Sequence, residues 1–383
     1  MEAYLDNSAT TRPTAPVIEA MISSMKHGFF NPSSLYRPAL EAQKAMDACR
    51  ALLALEAGAP RESVTFTSGG TEANHLAIVG HLRGHRKPGR VLFSAVEHPA
   101  VREACLAAAD YGHQVVMIPV AADGTVDIAA FEQLLTPDVL LICVMQVNNE
   151  TGAIQPIPQI AKLRDKLCPA ATIHVDGVQG FLRVPFSMKA GGVQSYAISG
   201  HKIGAPKGIG ALIHMKSHRL LPLQPGGGQE LGLRSGTENT PGIAGLLCAV
   251  ETFPKDAPTR MTAMKALLWR LLSEGIPALC RISPDEDSSC DSPHILCAAF
   301  PPVRGETLLH SLEGEGVYVS TGSACSSKKL KLSHTLSAMG IDRRTAECVL
   351  RFSLAPSTTE EEIRYAAKAA AQHYELLSTY RRR

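Results

Sequence analysis

Long apolar runs are missing from this 383-residue chain. The longest strongly apolar stretch, VLLICVMQV at 139–147, falls well short of the ~20 residues a membrane helix needs. The opening MEAYLDNSATT lacks the basic-then-apolar order of a secretory leader. Charge of one sign is scarce too: 38 Lys and Arg face 36 Asp and Glu, and the net +2 leaves no electrostatic footprint for nucleic acid or an anionic membrane. The basic YRRR at the end of the chain reads as a solvated tail. Ten cysteines include no CxxC pair and no metal-ligand spacing, which argues against a metal site and against a disulfide framework. Such usage fits reduced thiols in a cytoplasm, with Cys49, Cys105, Cys143, Cys248, Cys297 and Cys348 as buried filler. Internal repeats and low-complexity segments are absent.

What is present is ordinary for a soluble enzyme: 45% hydrophobic and 19% charged residues, in a length that favours two or more domains. Between about 62 and 215, the runs SVTFTS, RVLFSAVEH, QVVMIPV, VLLICVMQVNN, TIHVDGVQ, SYAISGHK and GALIHM predict strands. Most are apolar throughout, so both faces are expected to be covered, as in a largely parallel sheet. TEANHLAIVGHLRG, VREACLAAADYG and IPQIAKLRDKLCP carry helical spacing between them and end at Gly or Pro. The pattern is α/β, and in such sheets ligands bind at the carboxyl ends of strands. A helical region over roughly 240–275 precedes DEDSSCDSPH, polar enough for a surface connection. From 294 onward a smaller α+β unit is expected: HILCAAF, GETLLHSLEGEG, VLRFSLA and a final helix. That helix opens at STTEEEI, with Ser357 or Thr358 as cap and Glu360 or Glu361 closing a capping box.

Polar signals cluster where the predicted strands end. TSGGTEAN follows a strand and opens a helix; its small residues and helix N-terminus suit an anion, and an ordinary tight turn reads the same way. His98 in EHPA and Asp176 in VDGVQ each have a purely structural alternative; Gln179 follows in VDGVQ, and VNNETG adds Asn148 and Asn149. SGHK sets Ser199, His201 and Lys202 after a further strand, and a lysine there is costly unless paired, depressed in pKa or used covalently. Together these match one requirement. Pyridoxal phosphate needs a lysine for its aldehyde, an acid beside its pyridine nitrogen, an anion cradle for its phosphate and a ring to stack on it. VSTGSACSSKKLKLSH, at 319–334, adds Cys325 among glycine and small hydroxyl residues, a setting that reactivity explains better than packing does.

YLDNSATT, NPSS, FTSGGTEAN, VEHPAV, VNNETGAIQP, VDGVQ, SGHKIGAPKGIGAL, GGGQELGLRSGTEN, STGSACSS and LRFSLAPSTTEEEI follow in that order over nearly the whole chain. On these motifs the sequence resembles the cysteine desulfurases, the NifS/IscS-like group of the class V aminotransferases. The resemblance implies a fold type I pyridoxal-phosphate-dependent transferase. Its large domain, 15–255, would hold a mostly parallel seven-stranded sheet covered by helices. A small α+β domain, 1–14 with 256–383, would carry a mobile catalytic loop at about 320–332.

By matching position, Lys202 resembles the Schiff-base lysine and general base, and Asp176 the partner of the pyridine nitrogen. His98 would stack on the ring and Gln179 would meet its phenolic oxygen. Gly70, Thr71, Ser199 and His201 would surround the phosphate, and Thr237 would reach the cofactor phosphate of the other subunit of a homodimer. Arg351 would hold the substrate carboxylate with Asn149 nearby, and Cys325 would be the nucleophile. The implied reaction takes sulfur from L-cysteine, gives L-alanine and a persulfide on Cys325, and passes the sulfur to an acceptor protein for iron–sulfur cluster assembly or tRNA thiolation. No metal, direct nucleic-acid contact or membrane is implied. Lys328, Lys329 and Lys331 read as thiol-activating charges, an acceptor contact or a solvated run. Tyr36, Ala39, His75, Gly177, Ala205 and Ala355 depart from the group's usual residues. The rivals are a selenocysteine lyase or class V aminotransferase, and a non-catalytic sulfur-relay or scaffold protein, against which Lys202, Asp176 and His98 together argue.

Overall fold

Apolar residues alternate along the predicted strands, and the structure shows where each set goes. It is a computed structural model describing residues 1–321 and 333–379. Its strands, in chain order, are β1 (Ala3–Tyr4), β2 (Val64–Thr67), β3 (Arg90–Ser94), β4 (Gln114–Ile118), β5 (Val139–Met145), β6 (Thr172–Asp176), β7 (Ser195–Ser199), β8 (Gly210–His214), β9 (Cys280–Arg281), β10 (Ile295–Ala299), β11 (Val317–Tyr318) and β12 (Val349–Ser353). Seven of them form one sheet in the order β2-β8-β7-β6-β5-β3-β4. β4, β3, β5, β6 and β7 are parallel neighbours, and β8 runs antiparallel to both β7 and β2. The expected mostly parallel seven-stranded sheet is therefore present, each strand at its predicted run.

Leu92, Ile142, Val144, Ile173, Val175, Tyr196, Ile198 and Ile213 pack into one core with residues of the helices Ala15–His27, Arg37–Glu56, Ile157–Leu167 and Thr240–Glu251. Their neighbours Val91, Phe93, Leu141 and Cys143 face the opposite way, against the helices Gly70–Leu82 and Pro99–Leu106. Period-2 alternation thus feeds two apolar layers, which is why these strands lack a polar face. Parallel strands also share a direction, so the carboxyl ends of β3, β5, β6 and β7 open on one edge.

A separate apolar cluster joins Ala3 and Leu5 to β10–β12 and to the helices Ala257–Gly275, Gly305–Gly314 and Glu360–Thr379. β12, β10 and β9 form an antiparallel sheet there, and β1 pairs in parallel with β11. The last helix has its capping box one residue later than expected. Thr359 Oγ1 accepts from the Glu362 amide at 3.2 Å, and Glu362 Oε2 accepts from the Thr359 amide at 2.7 Å. DEDSSCDSPH is not wholly a surface connection either. Ser292 and His294 are buried, and Asp291 accepts from Lys265 Nζ at 2.6 Å and Arg281 Nη2 at 2.8 Å beneath the surface. Of the cysteines expected as filler, Cys49, Cys105, Cys143, Cys297 and Cys348 are buried and Cys248 is half-buried.

Candidate active site

The edge that collects these strand ends borders a cavity of about 910 Å³. His98, Asn149, Asp176, Gln179, Ser199, His201 and Lys202 line it from the strand-end loops, Gly70 and Thr71 from the start of a helix, and Arg351 from β12. Thr237 is exposed and lies outside this lining. Cys325, Lys328, Lys329 and Lys331 lie outside the described residues, but Thr321 and Ser333, on either side of that segment, both line the cavity.

Lys202 follows β7. Its Nζ donates to the carbonyls of Ser8 at 2.6 Å and Ala9 at 2.7 Å. Burial, then the Arg351 and Arg183 charges, push its ammonium down to about 8. Asp176, the last residue of β6, accepts at Oδ1 from the Val178 amide at 3.0 Å and at Oδ2 from Asn74 Nδ2 at 2.7 Å. Burial raises its carboxyl, and His98, those two hydrogen bonds and Lys202 pull the other way. Among the described residues no ion pair within 4 Å reaches it.

His98 caps the helix Pro99–Leu106, its Nδ1 accepting from the Ala100 amide at 3.1 Å; burial lowers its pKa. Gln179 donates through Nε2 to the Ser8 carbonyl at 3.0 Å, while its Oε1 is buried without a partner. His201 meets Thr10 Oγ1 at 3.2 Å and is pushed to about 4 by burial and nearby cations. At the cradle, Gly69 has φ +155° and ψ −176°, a conformation essentially confined to glycine. A Cβ at Gly70 would come within 2.6 Å of Val178 Cγ2, so glycine is what fits between the helix start and Val178.

Arg351 donates through Nη1 to the Asn149 carbonyl at 2.9 Å and through Nη2 to Asp6 Oδ1 at 2.7 Å, and its buried Nε has no partner. Asn149 thus meets Arg351 through its main chain. The sequence reading missed Asp6, Asn74 and Glu97. Glu97 is buried, its Oε1 accepting from the Met145 amide at 2.7 Å, and burial and Asp176 hold its carboxyl well above the usual range. Its position directly before His98 at a strand end was the available signal. One departure from the group's usual residues has a structural cause: a Cβ at Gly177 would overlap the buried ring of Tyr196, whose hydroxyl donates to Gln146 Oε1 at 2.6 Å.

A mostly parallel seven-stranded sheet with these residues at its carboxyl edge is the architecture of the fold type I pyridoxal-phosphate enzymes. The aminotransferase class-V family model matches residues 3–365. A cysteine desulfurase of Nostoc sp. is 37% identical over 94% of this chain and 90% of its own. The cysteine desulfurase NifS of Azotobacter vinelandii is also 37% identical, over the same shares. A solved NifS-like protein superimposes with a TM-score of 0.91 at 34% identity, covering 98% of this chain and 100% of its own. The chain belongs to the class-V aminotransferase family, among its NifS/IscS-like cysteine desulfurases.

Proposed function

We propose that the protein is a cysteine desulfurase that takes sulfur from L-cysteine, using pyridoxal 5'-phosphate held at this cavity. The observation that carries the reading is the meeting, on one cavity, of a lysine depressed to about 8, a buried carboxyl without a cation and an arginine with a free donor. These residues fit the cofactor. Lys202 would bind its aldehyde and Asp176 its ring nitrogen, supplying the cation that carboxyl lacks. Gln179 Oε1 would accept from the phenolic hydroxyl, and His98 would cover the ring. Gly70, Thr71, Ser199 and His201 would hold the phosphate. When bound, the cofactor supplies an electron sink for bonds at the substrate α-carbon.

The chain's own groups do the rest. Arg351, which already holds the Asn149 carbonyl and Asp6, receives the substrate carboxylate. Lys202 Nζ, held well below the ordinary ammonium range by burial, takes the α-proton. The Cys325 thiolate bonds to the substrate sulfur as the carbon–sulfur bond breaks; the β-carbon is then protonated, the α-carbon recovers its proton from Lys202 to give L-alanine, and Cys325 keeps a persulfide. An acceptor protein would take that sulfur for cluster assembly or tRNA thiolation. Division into 15–255 and 1–14 with 256–383 follows the two main apolar clusters. Exposed Ile18, Ile22, Met25, Phe29, Leu35 and Leu231 support a homodimer in which Thr237 reaches the other subunit's cofactor. The nine described cysteines are free thiols, which suits the cytoplasm.

The test is product stoichiometry. The yellow purified protein should form alanine and sulfide one-to-one from L-cysteine with a thiol present. Cys325→Ala should lose sulfur transfer and keep the bound cofactor. A Cys325→Ala protein that retains full turnover on an amino-acid and keto-acid pair would make the protein a transaminase and refute the reading.

A further inference from the structure

Asp176 is held by more than its two direct donors. Asn74 gives its Nδ2 proton to the carboxylate, which can only accept. Asn74 Oδ1 must therefore accept, and the atom it faces at 2.8 Å is His174 Nε2. His174 is completely buried in the middle of β6, and burial pushes it down to about 3, so its ring is neutral and carries one proton. With that proton on Nε2, Nδ1 accepts from Ser195 Oγ at 2.8 Å. The chain runs one way: Ser195 gives to His174, His174 to Asn74 and Asn74 to Asp176. Asn74, His174 and Ser195 are at most 1% exposed, so water cannot replace any link.

Three elements meet in this chain: the helix Gly70–Leu82 gives Asn74, β6 gives His174 and Asp176, and β7 gives Ser195. We propose that Ser195, His174 and Asn74 are positioning residues that fix the amide of Asn74 donor-first against Asp176, keeping that carboxylate ionised and aimed at a protonated ring nitrogen. His174 is the link that decides. Without its N–H, the Asn74 amide loses one of the two partners that fix which way round it sits. Rotated by half a turn it would set an acceptor against a carboxylate, a contact that favours protonated Asp176. A neutral Asp176 could not sustain a charged ring nitrogen. This inference rests on the proposed binding of pyridoxal phosphate.

The experiment compares two probes on the full chain freed of cofactor: pyridoxal 5'-phosphate, and its 1-deaza analogue with C–H in place of the ring nitrogen. The parent should bind the natural compound more tightly than the analogue. His174→Leu should lose that preference, with affinity for pyridoxal phosphate falling about ten- to a hundredfold, the range of a hydrogen bond to a charged group. Its affinity for the analogue should stay within about twofold. His174→Gln, which keeps an N–H toward Asn74 and an acceptor toward Ser195, should restore the preference. Equal losses for both probes in His174→Leu, or a preference left intact, would overturn the proposal. Ser195→Ala, the smallest change, serves if the leucine variant fails to fold; it should shift the preference the same way, and an unchanged preference there refutes the chain. A parent that binds the two probes equally refutes the ring-nitrogen role while leaving the cofactor reading standing. A parent that binds neither ends both.

Discussion

Replacing Gly177 by alanine, the residue usual at this position in the family, should damage this particular protein. Gly177 does not have a positive φ, so its backbone would accept alanine, and in open space the change would add about 0.4–1 kcal/mol through the unfolded chain. Here the new methyl would fall on the ring of Tyr196 at Cζ, Cε2 and the hydroxyl. That ring is fully buried and stacks on Phe186 at 4.5 Å between centroids, so it has no empty space to enter. Overpacking of this kind costs about 1–3 kcal/mol. Displacing the ring also breaks the Tyr196–Gln146 hydrogen bond, worth about 1 kcal/mol. The net loss should be about 2–3 kcal/mol. Urea unfolding followed by far-ultraviolet circular dichroism reads it as a lower midpoint. Tyr196→Val opens a cavity and is destabilising alone, but it removes the clash. The double variant should therefore be more stable than the sum of the two losses by about 2 kcal/mol. An alanine variant as stable as the parent, or strictly additive losses, would refute the steric argument.

Acid sensitivity has a similarly local test. Burial pushes His81 down to about 4, below its unfolded value, so its contribution is complete above about pH 6.5 and lost as pH falls toward 4. His81→Gln should lose about 2 kcal/mol less stability than the parent between pH 7 and 5; parallel pH curves would contradict this. Asp291→Ala should cost about 3–5 kcal/mol, because it leaves Lys265 and Arg281 buried without their shared carboxylate, and an unchanged urea midpoint would show that the pair adds nothing. Arg351→Lys should raise the KM for L-cysteine by at least about tenfold, since a point charge cannot reproduce the guanidinium fork; an unchanged KM would move the carboxylate site elsewhere.

The strands were legible because their signal is local. An apolar run such as TIHVD or SYAIS has few alternatives to a strand covered on both faces. Lys202, Asp176 and His98 were legible for a related reason, each standing where an apolar run stops. His174 sits inside such a run and Asn74 in the first turns of a helix, where a buried polar residue says only that a partner exists. Naming the partner requires knowing that a helix and a strand about a hundred residues apart lie side by side. Asp291, Ser292 and His294 were hidden differently. Composition makes DEDSSCDSPH look solvated, and only Lys265 and Arg281, from other elements, make its burial tolerable. Asp6 waited on the pairing of β1 with β11, which no local pattern announces.

That pairing bears on how the protein is made. Residues 3–11 are synthesised early, yet their partners come very late: Ala3 pairs with Val317 and Asn7 binds the main chain of Ser353. The Ser8 and Ala9 carbonyls that receive Lys202 Nζ belong to this segment. A nascent chain that has passed β8 can already close the large sheet around Asp176 and Lys202. Gln179, His201 and Lys202 can already meet residues 8–11, but Asn7 and Ser8 still lack Ser353. Arg351, on β12, is among the last residues of the cavity's lining to be made, so a half-made chain holds the lysine before it holds the arginine.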